Sequence, residues 1–125
     1  MFKDKVTRVF MSEDANEDYK QINEIVGSEK LNKIPSSMHQ TLLKSINRAI
    51  AIIKENPFGG EQIQKSLIPK KYSLKYDINN LWRFELSNFW RMLYTIRGNN
   101  VEIVSFILEI IDHKEYNRLF GYRNK

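Results

Sequence analysis

The 125-residue chain carries 20 Lys plus Arg against 15 Asp plus Glu, a formal charge of +5, with 42% apolar and 28% charged residues. These values suit one globular domain over residues 1–125 that buries its own core, and they argue against global disorder. The absence of cysteine excludes disulfides, thiolate metal sites and cysteine nucleophiles, and His39 and His113 alone are too few for a histidine-rich metal centre, so no cofactor is expected.

In chain order, Lys5 to Met11 is β-branched and loosely alternating, which predicts a first strand. Ser12 then suits the N-cap of a helix with Glu13 and Asp14 in its first turn. Its apolar positions are Ala15, Tyr19, Ile22 and Val26, with Gly27 as a stop and an acidic, solvated outer face. A second helix is predicted from Ser37 and Gln40, a capping-box pair, through Met38, Leu42, Ile46, Ala49, Ile50 and Ile53 to the Asn56-Pro57 stop. The short connection between the two implies an antiparallel hairpin. The stretch 56–79, with Phe58-Gly59-Gly60 turning the chain and weak periodicity from Ile63 to Asn79, reads as a long, basic, partly ordered loop.

The last third reads as β. Leu81–Leu86 places Trp82, Phe84 and Leu86 on one face, and Trp90–Arg97 places Trp90, Met92, Tyr94 and Ile96 on one face. A three-residue turn at Ser87-Asn88-Phe89 pairs Trp82 with Tyr94, Phe84 with Met92, and Glu85 with Arg91 across the other face. It requires a positive φ at Asn88 or Phe89, where glycine is usual. After Gly98-Asn99-Asn100, Val101–Ile111 is apolar on both faces, as a central strand should be. Asp112 and Glu115 begin a short helix that runs through Leu119 and ends near Gly121. The expected fold class is α+β: an N-terminal strand, a helix hairpin, a three-stranded antiparallel sheet and a short C-terminal helix. No apolar run approaches the ~20 residues of a membrane span, and no apolar segment follows Met-Phe-Lys-Asp-Lys. A cytoplasmic protein without a signal peptide or membrane contact is therefore expected.

Charge is unevenly placed. Residues 1–62 carry nine acidic and nine basic side chains, and 101–125 carry four of each. The whole excess lies in 63–100, as Lys65, Lys70, Lys71, Lys75, Arg83, Arg91 and Arg97 against Asp77 and Glu85. Tyr72, Tyr76, Trp82, Phe84, Phe89, Trp90 and Tyr94 are interleaved with them. That combination suits a phosphate-backbone surface with stacking platforms, although each aromatic taken singly reads as core. Lys65, Lys70, Lys71, Lys75 and Arg97 are the expected grip on a nucleic-acid phosphate backbone, which the resemblance below makes RNA.

The run NLWRFELSNFWRMLYTI from Asn80 to Ile96, followed by FILEIIDHKEY from Phe106 to Tyr116, resembles the RelE/ParE toxin superfamily. The shared form is an aromatic-plus-base strand, a tight turn, an arginine closely followed by a tyrosine, an apolar strand, and a His/Lys…Tyr ending. The resemblance implies a cytoplasmic toxin bound by a cognate acidic antitoxin. In its RelE branch it implies an endoribonuclease that cleaves messenger RNA, usually on the ribosome. It matches Arg91 to the arginine against the scissile phosphate and Arg83 to a cation on the preceding strand. His113 or Lys114 takes the place of the acid or positive charge, and Tyr116 that of a residue stacking on or orienting the base. The chemistry suits these types. A metal-independent ribonuclease must deprotonate the 2′-OH, stabilise a phosphorane and protonate the 5′-oxygen. Guanidinium stabilises charge but cannot act as a base, histidine is the type that transfers protons near neutrality, and Glu85 is a second candidate base. The same resemblance leaves open a ParE-like poison of gyrase and an inactive module that binds RNA or antitoxin. Trp82, Phe84 and Leu86 occupy the alternate strand positions where the resemblance would look for the lysines of a strong RelE-type nuclease. Tyr122 is expected either to cover the site or to dock on the core with Phe120.

Overall fold

The computed structural model describes residues 5–121. β1 (Val6–Met11) leads into α1 (Glu13–Leu31), where Ser12 Oγ caps the first turn by accepting from the Ala15 amide at 3.0 Å. α1 does not stop at Gly27. The ~1 kcal/mol helix penalty of glycine is outweighed by burial of Ile22 and Val26 on the same turns. The helix ends instead in a Schellman arrangement, with Lys33 N donating to Lys30 O, Ile34 N to Glu29 O, and Lys33 at φ 58°. α2 (Met38–Glu55) is capped by Ser37 Oγ, which accepts from the Gln40 amide at 3.1 Å. Leu42, Ile46, Ala49 and Ile53 form its fully buried stripe. Tyr19 bonds to Asn47 and Ser37 to Glu29, so α1 and α2 run antiparallel, as the short connection implied.

β2 (Glu61–Gln62), β3 (Trp82–Glu85), β4 (Arg91–Gly98) and β5 (Glu102–Ile111) join β1 in a five-stranded sheet of order β1-β5-β4-β3-β2. β1 lies parallel to β5 and the other pairs are antiparallel. The expected three-stranded antiparallel core, β3-β4-β5, thus gains β1 on one side and β2, which the sequence did not suggest, on the other. The hairpin register is the expected one: Trp82 faces Tyr94, Phe84 faces Met92 and Glu85 faces Arg91. Both Asn88 (φ 54°) and Phe89 (φ 64°) adopt the left-handed region in the turn.

Alternation then sorts the strands onto two faces. Trp82, Phe84, Leu86, Met92, Tyr94, Ile107 and Ile110 pack beneath α1 and α2. The opposite face is covered by residues 63–79 and by α4 (His113–Phe120). Residues 63–79 are not a partly ordered loop. They contain a 3₁₀ turn at Lys65–Leu67 and a helix, α3 (Lys70–Tyr76). Burial of Ile63, Tyr72, Ile78 and Leu81 against Leu93, Leu108 and Ile111 supplies the driving force. The Tyr72 hydroxyl is satisfied inside this layer by donating to Glu109 Oε1 at 2.5 Å. Asp112 Oδ1 caps α4 by accepting from the Glu115 amide, and Gly121 at φ 68° ends it. No helix among the described residues is long and apolar enough to cross a membrane. Tyr122 lies outside the described residues.

Candidate functional site

Strand alternation puts Arg83 and Glu85 of β3 and Arg91 of β4 on the face opposite the α1–α2 hairpin. β2 adds Glu61 directly across from Arg83. The result is a row of alternating charge over three strands. Arg83 Nε lies 2.8 Å from Glu61 Oε1 and 4.0 Å from Glu85 Oε2, while Arg91 Nε lies 3.3 Å from Glu85 Oε2. Tyr116, 1% exposed, projects from α4 beneath both cations. Its ring centroid is 4.5 Å from the Arg91 guanidinium and 5.7 Å from that of Arg83, and its hydroxyl accepts from Arg83 Nη1.

The two arginines are held differently. Partial burial opposes the charge on Arg83, but the hydrogen bonds to Tyr116 and Glu61 outweigh it and raise its pKa above the ordinary arginine value. The Arg91 side chain is only 10% exposed. Its Nη1 donates to the Phe89 carbonyl, but its buried Nε has no hydrogen-bond partner, since the approach of Glu85 is an ion-pair contact only. Burying a guanidinium with a donor unmade is costly. Such a group is complementary to a ligand anion that brings its own acceptors.

A structural anchor sets the edge of this row. The Tyr94 hydroxyl donates to Pro57 O at 2.8 Å and accepts from the Gly60 amide at 3.0 Å. A Cβ at Gly60 would lie 2.5 Å from Arg83 O and 2.7 Å from the Tyr94 hydroxyl. Only glycine permits this approach, which seats Glu61 against Arg83. A groove of about 200 Å³ beside it is lined by Gly59, Gly60, Glu61, Arg83, Phe84 and Glu85.

The structure therefore brings together Arg83, Glu85, Arg91 and Tyr116 from the expected set. His113 stands at the rim, with its ring 5.5 Å from that of Phe89 and its Nε2 3.1 Å from Asn117 Nδ2. Lys114 is exposed on the first turn of α4. The basic segment is deployed elsewhere. Lys71 pairs with Glu109 at 3.1 Å and Lys75 with Asp14 at 2.5 Å, while Arg97 donates to the carbonyls of Tyr76 and Asp77. These three fasten α3 and its flanks, whereas Lys65 and Lys70 are exposed. Glu61 and Phe89 are additions that the sequence reading missed as site residues. Glu61 carries no sequence signal, but Phe89 lay in the aromatic–basic run. Among the described residues no group of three or more His, Asp or Glu side chains is placed to hold a metal ion.

With this geometry, the chain superposes on a YoeB/ParE toxin from Agrobacterium tumefaciens at a TM-score of 0.51 and 17% identity, over 85% of this chain and 98% of that one. The fold is that of a YoeB/ParE toxin. No family model and no curated protein matches the sequence.

Proposed function

We propose that the chain is the toxin of a toxin–antitoxin pair and acts as a metal-independent endoribonuclease on messenger RNA, with the ribosome presenting the substrate. The observation that carries this reading is the Arg83–Arg91 pair on the common support of Tyr116, with a nine-tenths-buried Arg91 whose Nε lacks a hydrogen-bond partner. That arrangement suits the charge that builds on a phosphorane.

In this reading the scissile phosphate replaces Glu85 as the anion facing Arg91. Glu85, 53% exposed, leaves the arginines and takes the 2′-OH proton. The 2′-oxygen bonds to phosphorus, and the bond from phosphorus to the 5′-oxygen breaks. His113, or Lys114 beside it, protonates the leaving oxygen, so the products are a 2′,3′-cyclic phosphate and a 5′-hydroxyl. Arg91 Nε faces Glu85, and its Nη1 is held by the carbonyl of Phe89, whose ring meets that of His113; this chain of contacts supports a base and an acid that both reach a phosphate on Arg91. Tyr116 positions both arginines from below. Lys65 and Lys70 extend the contact to RNA backbone, whereas Lys71, Lys75 and Arg97 would first have to leave their internal partners. The cognate antitoxin is an acidic protein that neutralises this face.

The test is expression of the wild type, Arg91→Lys and His113→Ala, with growth and RNA integrity followed together. The reading expects inhibition by the wild type alone. Full inhibition by both variants, or supercoiling loss with intact RNA, contradicts it. The second outcome is what a gyrase poison would give.

A further inference from the structure

We propose that Phe89 is a base-stacking residue: RNA with its phosphate on Arg91 lays the adjoining base on the exposed Phe89 ring. This deepens the ribonuclease reading and rests on it. Phe89 is 67% exposed, more so than Phe10 at 52% or Phe58 at 44%, and it stands next to a buried charge. It occupies a left-handed turn position at φ 64°. There a bulky side chain is strained and glycine would be favoured, so the fold gains nothing from the ring locally. Its own carbonyl holds Arg91 Nη1, and the two residues are separated only by Trp90. One nucleotide is long enough to reach from the guanidinium to the ring.

Tyr116 does not offer this surface. It is 1% exposed, with Arg91 over its ring and the Phe120 ring 4.5 Å away. Among the described residues, Phe89 in contrast meets one aromatic neighbour, at its edge of the site. That neighbour is the exposed His113, 5.5 Å away and tilted by 49°. A base stacked there lies against the proposed acid as well. Because every base has a π-face, the contact favours purines by stacking strength rather than by hydrogen-bond readout.

The experiment measures binding of non-cleavable 2′-O-methyl oligoadenylate octamer and of an abasic octamer with the same phosphate count, by fluorescence anisotropy. The wild type should prefer the oligoadenylate. Phe89→Gly should keep or raise the melting temperature, since glycine suits the backbone, yet weaken oligoadenylate binding about 5- to 150-fold while leaving abasic binding unchanged. Phe89→Trp should restore the preference. Arg91→Lys should weaken both oligomers. If Phe89→Gly binds oligoadenylate like the wild type while Arg91→Lys weakens both, the stacking inference is overturned and the RNA-binding site stands. If the wild type binds neither octamer but cuts ribosome-bound message, the stacking inference is overturned; if it neither binds the octamers nor cuts that message, the ribonuclease reading itself fails.

Discussion

Replacing Tyr116 by phenylalanine isolates one atom of the proposed site. The ring stays, so the cation–π support of Arg91 at 4.5 Å is retained, and only the hydroxyl that accepts from Arg83 Nη1 is lost. A hydrogen bond from a charged donor contributes about 1.5–3 kcal/mol. The Arg83 side chain is 25% exposed and keeps Glu61 at 2.8 Å, so water and Glu61 offset part of the loss. The expected stability cost is therefore near the low end, about 1 kcal/mol. It should be read as a lower urea midpoint at unchanged slope. Arg83 loses one of its two hydrogen-bond partners, and about 1.4 kcal/mol of transition-state stabilisation corresponds to a tenfold slower cleavage. Tyr116→Leu also removes the ring beneath Arg91. Cation–π loss of ~1–2 kcal/mol and the cavity of a buried aromatic make it the far more damaging change. The assay is single-turnover cleavage of a short ribosome-bound message, alongside unfolding curves. Wild-type cleavage by Tyr116→Phe, with Tyr116→Leu losing activity only in proportion to its unfolded fraction, would make Tyr116 a core residue with no positioning role.

Gly60→Ala should cost about 1–3 kcal/mol and slow cleavage, because its Cβ meets backbone at Arg83 O, whereas Gly59→Ala meets only the Ile52 side chain at 3.0 Å and should be milder; thermal melts of both decide. Tyr72→Phe should destabilise by about 2 kcal/mol in urea titration, since Glu109 in its buried layer loses the 2.5 Å hydroxyl bond and keeps its ion pair with Lys71. Asp18 has its carboxyl pushed up to about 6, chiefly by burial, against 3.8 in the unfolded chain, despite a backbone hydrogen bond from Ile110. The folded state then binds the extra proton between those values, so Asp18 contributes most at low pH and its contribution is lost as pH rises through 6. Asp18→Asn should stabilise the fold at pH 7.5, by no more than about 1 kcal/mol after allowing for solvent, seen as a higher melting point, and leave stability nearly unchanged at pH 4; equal shifts at both would refute the assignment.

The parts of the fold legible in the sequence are those with a strong local period. Ser12, Ser37 and Asp112 cap helices where their side chains suggested. The Trp82/Tyr94 and Phe84/Met92 pairing followed from putting every large apolar group on one face. Gly27 misled because burial of Ile22 and Val26 overrides one unfavourable propensity, and the stop lies instead at Lys33, a residue type that rarely takes positive φ. α3 was hidden by its lysines, although Ile68, Tyr72 and Tyr76 recur at the helical spacing of four and all pack inward. β2 has no pattern of its own and exists because the Tyr94 anchor brings Gly60 to β3. Within the site, Glu85 opposite Arg91 was readable from register, whereas the support of Tyr116 under both arginines depends on where α4 docks. The basic run looked like one surface, but Lys71 and Lys75 find carboxylates distant in sequence, at Glu109 and Asp14.

The central claim is that Arg83 and Arg91 hold a phosphate while the 2′-OH attacks it. It is tested most directly by end-mapping ribosome-bound message exposed to the purified protein. New 2′,3′-cyclic phosphate and 5′-hydroxyl ends are expected with the wild type, and their loss in Arg91→Lys, which keeps the charge but not the two-pronged geometry. Intact message with the wild type, or the same ends at the same rate from Arg91→Lys, would contradict it.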